Sequence, residues 1–477
     1  MDFIKRLSDP SVTSLDLSRI QIGVAGANQL AKALKTNNTL TELKLGYNDI
    51  GDSGAGDLAE ALKINTSLTS LDLTLNYIGD SGATRLAKAL KKNTSLRELK
   101  LGCNKIGDAG ATQLAEALKT NTTLTSLRLS RIQIGDKGAI DLAEALKTNT
   151  TLIELSLRSN DIRDAGSTQL ANALKTNNTL KTLDLATNQI GDAGSTQLAI
   201  ALKTNKTLKT LDLALNQIGD KGDIDLAEAL KTNTTLTSLN LSRIQIGVVG
   251  ATALADALKT NTTLIELSLR SNDIRDAGAT QLANSLKTNK TLKTLRLSDN
   301  RIGDTGATRL SEALKTNTSL TQLDLERNRI EDAGSTQLAN ALETNTSLTE
   351  LELSFNSIGV EGKKALEIAV ETRRNRPLNL VDSDRQINAT NRAQLLFTNN
   401  RMGHGIVVLP FLTHDEKSSV GPTSHAAYIT RYHRPLTIIF DEVIYTTFKP
   451  KKSKTKSKSK KPKSKSKKPK SKSKKKF

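Results

Sequence analysis

The sequence predicts an α/β fold: a right-handed solenoid, or horseshoe, with a parallel sheet on its inner side and helices on its outer side. A 28-residue period runs without a break from residue 12 to about residue 375, and each period divides into a strand pattern followed by a helix pattern. Twenty-eight residues cannot bury their own apolar face. Stacked units must therefore share one continuous core, and these two observations predict a solenoid.

The period is marked by a leucine that recurs every 28 residues from Leu40 to Leu348, with Val12 in the first unit. Thirteen repeats result, numbered here 1 to 13 from the one that begins at Val12. No proline lies between Pro10 and Pro377, so no proline interrupts the strands or helices.

The first half of each repeat reads L-x-x-L-x-L-x-x-N-x-I. Leucines two residues apart, such as Leu43 and Leu45, point to one side of a short strand. The second half, such as DAGATQLAEALKTN at 108–121, has the apolar spacing of a helix. We expect Asp108 to cap the start of its own helix and Asn121 to end it in the left-handed conformation. Strands stack at about 4.8 Å and helices at roughly 8–10 Å, so we expect the array to curve with the sheet on the concave face.

The motif LxxLxLxxNxI followed by GxxGAxxLAxAL, at a period of 28, resembles the ribonuclease inhibitor-like leucine-rich repeats. The same repeat type occurs in the sensing domains of NOD-like receptors and in Ran GTPase-activating proteins. The resemblance covers residues 12–375. It implies a protein that binds a protein partner through its concave face and that needs no cofactor.

Asparagine occupies the ninth position of ten repeats. The resemblance implies that its amide is buried where the strand ends, and that it bonds to main-chain groups of adjacent turns as a structural ladder. The ten are Asn48, Asn76, Asn104, Asn160, Asn188, Asn216, Asn272, Asn300, Asn328 and Asn356.

The hexapeptide SRIQIG occurs three times at intervals of 112 residues and places Ile20, Ile132 or Ile244 at the ninth position. Isoleucine cannot make the amide bonds, so we expect three breaks in the ladder, each costing about 1–3 kcal/mol. The interval equals four repeats, which indicates that a block of four repeats was copied. The alternative interpretation is that SRIQIG is a softened turn near a binding site.

Large side chains and arginines of the predicted concave face are the candidate protein-binding residues. They are Tyr47, Leu75, Arg128, Arg131, Arg158, Arg243, Arg270, Arg296, Arg327 and Phe355. The face as a whole is polar and nearly balanced in charge, unlike a nucleic-acid groove, which is basic and carries stacking aromatics. The alternative is a solvated sheet face without a partner.

Residues outside the repeats differ in character. Residues 1–11 predict a partial N-terminal helix cap. Residues 376–448 hold all four histidines, whose spacing matches no common zinc site. These residues predict either a C-terminal cap or a poorly ordered segment. Residues 449–477 carry 17 lysines and no acid, which predicts a disordered tail with weak affinity for nucleic acid or anionic lipid. Without that tail, the net charge of +20 falls to +3 (20 − 17).

An N-x-[ST] sequon recurs every 28 residues from Asn37 to Asn345. We interpret these sequons as local turn chemistry rather than glycosylation sites, because the first residues show no apolar run long enough for a signal peptide.

Several further observations favour a cytoplasmic or nuclear, monomeric, non-enzymatic scaffold. Cys103 is the only cysteine, which favours a reducing compartment, and no stretch approaches the 18 apolar residues of a transmembrane segment. The repeats contain no histidine, no phosphate-binding glycine loop and no metal-ligand cluster. The alternatives are a Ran-type GTPase activator, a polyanion binder that acts through the tail, and a detached sensing domain of a larger receptor.

Overall fold

A computed structural model describes residues 2–372 and 379–381 of the chain. A first helix, α1 (Asp2–Leu7), precedes thirteen strand–helix pairs and a last strand. The strands are β1 (Ser14–Asp16), β2 (Glu42–Lys44), β3 (Ser70–Asp72), β4 (Glu98–Lys100), β5 (Ser126–Arg128), β6 (Glu154–Ser156), β7 (Thr182–Asp184), β8 (Thr210–Asp212), β9 (Ser238–Asn240), β10 (Glu266–Ser268), β11 (Thr294–Arg296), β12 (Gln322–Asp324), β13 (Glu350–Glu352) and β14 (Asn379–Val381). The other helices are α2 (Gly23–Leu34), α3 (Gly51–Leu62), α4 (Asp80–Leu90), α5 (Asp108–Leu118), α6 (Asp136–Leu146), α7 (Asp164–Leu174), α8 (Asp192–Thr204), α9 (Asp220–Leu230), α10 (Val248–Thr260), α11 (Arg275–Leu286), α12 (Asp304–Leu314), α13 (Asp332–Thr344) and α14 (Val360–Thr372).

The strands form one parallel sheet in chain order. Within the repeats they pair at an offset of one repeat, so that Leu43 lies between Leu15 and Leu71. The solenoid of parallel strands and alternating helices is therefore confirmed. The predicted C-terminal segment and basic tail lie outside the described residues, except for β14. None of the helices in residues 2–372 has the length and apolar character needed to cross a bilayer.

The core lies between the sheet and the helices. Each strand from β1 to β13 buries its central leucine, and the helices of the repeats add alanines and leucines such as Ala111, Leu114 and Leu118, which are almost fully buried. Truncating one of these leucines to alanine costs about 2–5 kcal/mol, and the stacked leucines together hold the array. The two residues beside each central leucine leave the core, and we call the surface they form the sheet face.

The asparagine ladder links each repeat to the one before it. Asn76 donates from Nδ2 to the carbonyl oxygens of Leu45 (2.8 Å) and Thr74 (3.1 Å). Its Oδ1 accepts from the N–H groups of Asn48 (3.1 Å) and Ile50 (3.3 Å) in the preceding repeat. All ten ladder asparagines donate to the strand of the preceding repeat. The amide thus satisfies main-chain groups that the short strands leave unpaired.

The ladder is broken at two places rather than the expected three. Ile132 and Ile244 are fully buried, whereas Ile20 is 51% exposed. Among the described residues, the helix α1 and no strand comes before β1, so an asparagine at position 20 would find no earlier strand there to bond. The ten asparagines form runs of three, three and four.

Each isoleucine lacks both the bonds that an asparagine accepts from the preceding repeat and those that it donates within its own turn, such as Asn104 to the carbonyls of Leu101 and Gly102. The N–H groups of Asn104 and Ile106 lie opposite Ile132, and no side-chain amide accepts from them in the described part of the chain. The N–H groups of Ile132 and Ile134, by contrast, both donate to Asn160 Oδ1 at 3.1 Å. The N–H groups left without a side-chain acceptor therefore lie in the repeat before SRIQIG. The interpretation of SRIQIG as a softened turn near a binding site stays a prediction.

The aspartate at the start of each helix caps the next helix and not its own. Asp108 Oδ1 accepts from the N–H groups of Gly135 and Gly138, both at 2.8 Å, and makes no cap bond to α5. The prediction for Asp108 was therefore wrong, because the stacked helix lies closer to the carboxylate than its own free N–H groups do. Gly138 must be glycine, because a Cβ there would lie 2.8 Å from Asp108 Oδ1. Nine repeats use this forward cap.

Two copies of the segment SLRSNDIRDAG differ in backbone because one lacks this cap. Arg163 donates its N–H to Asp136 Oδ1 at 2.9 Å and has an extended backbone, with φ −112°. Arg275 follows a repeat with Val248 at the capping position, has φ +55° and donates its N–H to the carbonyl of Asn300 at 3.0 Å. In this pair of copies, the helix that lacks the carboxylate begins one residue earlier, at Arg275 rather than at the position of Asp164.

The sequon asparagines form a second buried ladder. Asn205 is 3% exposed, donates to the carbonyls of Leu174 (2.7 Å) and Asn177 (3.2 Å), and accepts from the N–H of Leu208 (2.7 Å). Its backbone is extended (φ −66°, ψ 132°), and Asn121 is not left-handed either, so that prediction was wrong. An amide buried in this way has no room for a glycan.

Asp223 stands out in the core of repeat 8. It occupies a helix position that is alanine or serine in repeats 1–7 and 9–12, its side chain is 0% exposed, and neither carboxylate oxygen has a hydrogen-bond partner. Burial, with the negative charges of Asp220 and Asp192, raises the pKa of Asp223 to about 8. A Cβ at Gly250 of α10 would lie 2.8 Å from its Oδ2, so the carboxyl packs directly against the next helix. Asp220, at the start of the same helix, makes no cap bond to Gly250, unlike the aspartates at this position in the nine repeats with a forward cap.

Candidate functional site

The ten candidate residues do not form one cluster. They are spread over repeats 2 to 13 and over three positions of the repeat. Beside the central strand leucine lie Arg128 and Arg296, and two positions later lie Arg158 and Arg270. The other six occupy the eighth position, where the chain leaves the strand; they are Tyr47, Leu75, Arg131, Arg243, Arg327 and Phe355.

The strand arginines are already engaged by neighbouring strands. Arg128 pairs with Glu154 at 3.0 Å and with Glu98 at 4.0 Å, and Arg296 pairs with Glu266. These cross-strand pairs lie on a partly exposed surface, where each contributes about 0–1 kcal/mol. Because their charges are balanced within the sheet, these two arginines are weaker candidates than the turn residues.

The eighth position has an unusual backbone. In all thirteen repeats its residue is left-handed, with φ between 53° and 62°, and none is glycine. The chain nevertheless stays paired, because the N–H of Tyr47 donates to the carbonyl of Thr74 at 3.0 Å. A left-handed residue other than glycine costs about 1 kcal/mol or more, which the surrounding ladder bonds offset. The position accepts serine, threonine, arginine and tyrosine, so the side chain there is free to vary while the fold is kept.

Repeats 1–5 place an apolar and cationic group along these turns. We call it the turn ridge and define it as the residues Arg19, Tyr47, Leu75, Tyr77, Cys103, Lys105 and Arg131. Tyr47 is 48% exposed and Tyr77 is 61% exposed. The Arg19 guanidinium lies 4.4 Å from the centre of the Tyr47 ring, and Lys105 Nζ lies 5.1 Å from that of Tyr77. The ridge thus combines exposed aromatic rings with cations that hold them in place.

The cations of the turn ridge are unpaired. Arg19, Lys105 and Arg131 take part in no ion pair with any residue in 2–372. Asp49 is the only carboxylate at the eighth and tenth positions of repeats 1–5. The ridge therefore presents a local excess of positive charge on a sheet face that is otherwise nearly balanced.

The second aromatic–arginine pair has a different setting. Arg327 lies 4.9 Å from the centre of the Phe355 ring, but its Nε also pairs with Glu326 at 3.6 Å. Burial, with the negative charges of Asp324 and Glu326, raises the pKa of Glu352 nearby. The end of the array near repeats 12 and 13 is therefore acidic around its aromatic residue.

The surroundings of Cys103 disfavour its thiolate form. Its thiol is half-buried, and burial raises its pKa, which lowers the thiolate fraction at neutral pH. Among the described residues, no three His, Cys, Asp or Glu side chains are grouped to hold a metal ion.

Four residues of the turn ridge were not among the candidates predicted from sequence: Arg19, Tyr77, Cys103 and Lys105. Tyr77 and Lys105 lie at the tenth position, which the strand pattern alone does not place beside the eighth. The signal available in the sequence was variation: at the eighth to tenth positions repeats 2–4 carry YND, LNY and CNK, whereas repeats 5 and 6 carry RIQ and SND, which recur unchanged in repeats 9 and 10.

Models of two leucine-rich-repeat families match the chain. The model described as TMOD/LMOD Leucine-rich domain matches residues 3–110 and 103–196, and the model described as Leucine Rich repeat matches six segments between residues 204 and 366. The chain is a leucine-rich-repeat protein. No curated protein sequence matches it.

Solved structures with a similar chain path share little of the sequence. An internalin (inlF) from Listeria monocytogenes is 23% identical, over 80% of this chain and 88% of that chain, with a TM-score of 0.46. Leiomodin-1 Actin-Binding Site 2 is 25% identical, over 36% of this chain and 86% of that chain, with a TM-score of 0.26. A chain of the Rad7 and Elc1 complex from yeast is 18% identical, over 70% of this chain and 75% of that chain, with a TM-score of 0.42.

Proposed function

We propose that this leucine-rich-repeat protein is a non-enzymatic scaffold that binds a protein partner on its sheet face, and that the turn ridge is the main contact. The observation that carries the proposal is the concentration of exposed tyrosines and unpaired cations in repeats 1–5. Tyrosine and arginine are enriched among the few residues that supply most of the binding energy of protein interfaces. A regular scaffold with one irregular surface is what such an interface requires.

The contrast between repeats supports this location. Within the copied block, the turn residues of repeats 5 and 6 recur in repeats 9 and 10: Arg131 has its copy in Arg243, and Ser159 in Ser271. Repeats 2–4 lie outside that block and carry different residues at each turn. A surface selected for one partner is expected to differ from repeat to repeat in this way.

The test compares two full-length variants. The ridge variant carries Tyr47→Ser, Leu75→Ser and Tyr77→Ser, and the control carries Leu215→Ser and Phe355→Ser at the same turn position of later repeats. Serine is native at the eighth position in repeats 6 and 10 and at the tenth position, that of Tyr77, in repeat 13, so both variants are expected to fold. Each is immobilised, exposed to cell lysate and washed at high salt. Actin, after which the leiomodin-1 site is named, is added as one defined partner.

We expect the wild-type protein and the control to retain a protein that the ridge variant loses. Equal retention by the ridge variant would place the contact elsewhere on the sheet face or on the helices. Material that high salt removes from all three proteins would indicate binding by the lysines of 449–477, which is the polyanion-binding alternative.

The repeat subclass and cellular setting belong to the same proposal. The 28-residue period and a full α-helix in every repeat support the ribonuclease inhibitor-like subclass. A single cysteine supports a reducing compartment, the cytoplasm or the nucleus, and the protein would act as a monomer without a cofactor. A Ran-type GTPase activator is the second function that the sequence pattern suggests. No residue of the turn ridge supports that activity.

A further inference from the structure

We propose that the turn ridge binds a short acidic segment of the partner protein, with an apolar side chain on the tyrosines and carboxylates on the flanking cations. This inference rests on the proposed function and adds the chemistry of the partner to it.

The unpaired cations of the turn ridge would be complemented by negative charges of a partner. Arg19, Lys105 and Arg131 form no ion pair in residues 2–372, although other cations of the sheet face, such as Lys44 and Lys100, are paired with neighbouring glutamates. A guanidinium held over a ring is fixed in direction and keeps its outer N–H groups available, as Arg19 is over Tyr47. Carboxylates of a partner are the groups that complement this arrangement.

The middle of the turn ridge is apolar and would be complemented by an apolar side chain of the partner. Leu75 lies one repeat from Tyr47 and one repeat from Cys103, so the three side chains follow one another along the turns. Tyr77 adds a ring that is 61% exposed. A leucine or phenylalanine of the partner would cover these side chains and remove them from water, which supplies the affinity that surface charges alone do not.

The spacing defines the length of the segment. Arg19 and Arg131 stand at the same turn position four repeats apart. With strands stacked at about 4.8 Å, this separation is about 19 Å, which an extended peptide spans with about six residues. The ridge therefore fits a short linear segment with acids at both ends.

A protein segment is favoured over nucleic acid by the strands beside the ridge. Glu42, Asp72 and Glu98 lie on the sheet face of repeats 2–4 and would repel phosphates laid across it. A short peptide held along the turns avoids them. Single-stranded nucleic acid also needs a continuous basic groove with successive stacking rings, which two tyrosines do not provide.

The experiment uses three labelled peptides of about seven residues with the full-length protein. The first has a leucine–phenylalanine–leucine centre with two acids at each end. The second has lysines in place of the acids, and the third has serines in place of the apolar residues. Binding is measured by fluorescence anisotropy for wild type, Arg19→Ser/Arg131→Ser and the matched control Arg301→Ser/Arg327→Ser. The lysines of 449–477 attract acidic peptides in every variant, so the readout is the difference between variants.

We expect the acidic apolar peptide to bind the wild type and the control alike, and to bind the ridge variant about tenfold more weakly. The lysine and serine peptides should show no such difference. Equal binding of the acidic peptide to all variants, or a ridge-dependent preference for the lysine peptide, would overturn the inference. Ridge-dependent binding of an oligonucleotide in preference to the acidic peptide would overturn it as well.

The two proposals fail separately. If a lysate protein is lost with the tyrosine variant but the acidic peptide shows no ridge dependence, the interaction surface stands and only the partner chemistry is wrong. If neither measurement depends on the ridge, both proposals fall.

Discussion

Ile132 shows how one side chain acts on the repeat before its own. It is fully buried opposite the N–H groups of Asn104 and Ile106, where an asparagine would offer an amide oxygen. We expect Ile132→Asn to raise the free energy of unfolding by about 1–3 kcal/mol, less the apolar burial that isoleucine provides, because it would satisfy two buried donors. Chemical denaturation measures the change.

Ile20→Asn is the matched control for this change. The same substitution in the same hexapeptide should leave the stability almost unaltered, because Ile20 is half exposed and the described residues before β1 form the helix α1 rather than a strand. A gain at Ile20 equal to that at Ile132 would show that the ladder bonds are not its source.

Asp223 makes stability depend on pH. Its pKa is about 8 in the folded chain, well above the ordinary value of an aspartate, so at intermediate pH the folded state binds a proton that the unfolded state releases. Stability therefore falls as pH rises from about 4 to 8, by about 1.4 kcal/mol for each pH unit from this group alone. The charges facing it are Asp220 on its own helix and Asp192 on α8, both of the same sign, and α10 offers only Gly250.

We expect Asp223→Ala to be more stable than the wild type, with an advantage that grows as pH rises toward 8. The chain supplies the reciprocal variant, because residues 134–151 equal 218–235 except that Ala139 replaces the aspartate. Ala139→Asp should acquire the same pH-dependent loss. Denaturation at pH 5 and pH 8 measures both, and parallel stability curves for wild type and Asp223→Ala would contradict the assignment.

At the scale of the element, the start of a helix depends on the repeat before it. Val248 offers no carboxylate to α11, and Arg275 adopts φ +55° at its start. We expect Val248→Asp to cap α11 and return Arg275 to the extended backbone of Arg163. The change should raise stability by about 1–2 kcal/mol through the cap and the relieved left-handed residue. Thermal unfolding measures the gain.

Asp136→Val is the converse variant. It should uncap α7, push Arg163 toward the left-handed backbone and lower stability by a similar amount. If Asp136→Val is silent, the carboxylate is not what sets the start of the helix.

The sequence predicted the helices and strands well because their signals are local. The alternation of Leu43 and Leu45 and the spacing within 108–121 depend only on neighbouring residues. The direction of the Asp108 cap and the backbone of Asn121 were predicted wrongly. Both depend on which repeat lies closest in space, and a single repeat does not contain that information.

The turn ridge was predicted only in part for a related reason. Tyr47, Leu75 and Arg131 follow from the strand pattern, but Tyr77 and Lys105 come beside them only through the left-handed turn. The arginines of the strands look equivalent to those of the turns in the sequence. The structure separates them by their ion pairs: Arg128 is paired and Arg131 is not.

At the scale of the whole array, repeats 8 and 9 meet at its weakest junction. The ladder is broken there by Ile244, Asp220 gives no cap to α10, and Asp223 lies unpartnered against α10. Stability in a solenoid is a sum of repeat and junction terms, so the array should open at this junction first. We expect amide exchange at equilibrium to give different free energies of opening for repeats 5–8 and 9–12.

A double variant checks this expectation. Ile244→Asn with Asp223→Ala should restore the junction and bring the two opening free energies together. Ile132→Asn, made at the other break, should leave their difference unchanged. If repeats 5–8 and 9–12 already exchange as one unit in the wild type, the junction is not weak.

The isoleucine breaks also determine how such a chain can gain or lose length. A block whose first repeat has isoleucine at the ladder position makes no side-chain amide hydrogen bonds to the repeat before it. The repeat in front of such a block therefore already lacks those bonds. Residues 124–235 form a block of this kind, and so do the four repeats after it. Inserting or deleting a whole block at residue 123 or 235 leaves every remaining asparagine of the ninth position with the partners it had. These two positions are therefore natural boundaries of a four-repeat unit. Recombination within a gene can lengthen the array there without removing a ladder hydrogen bond.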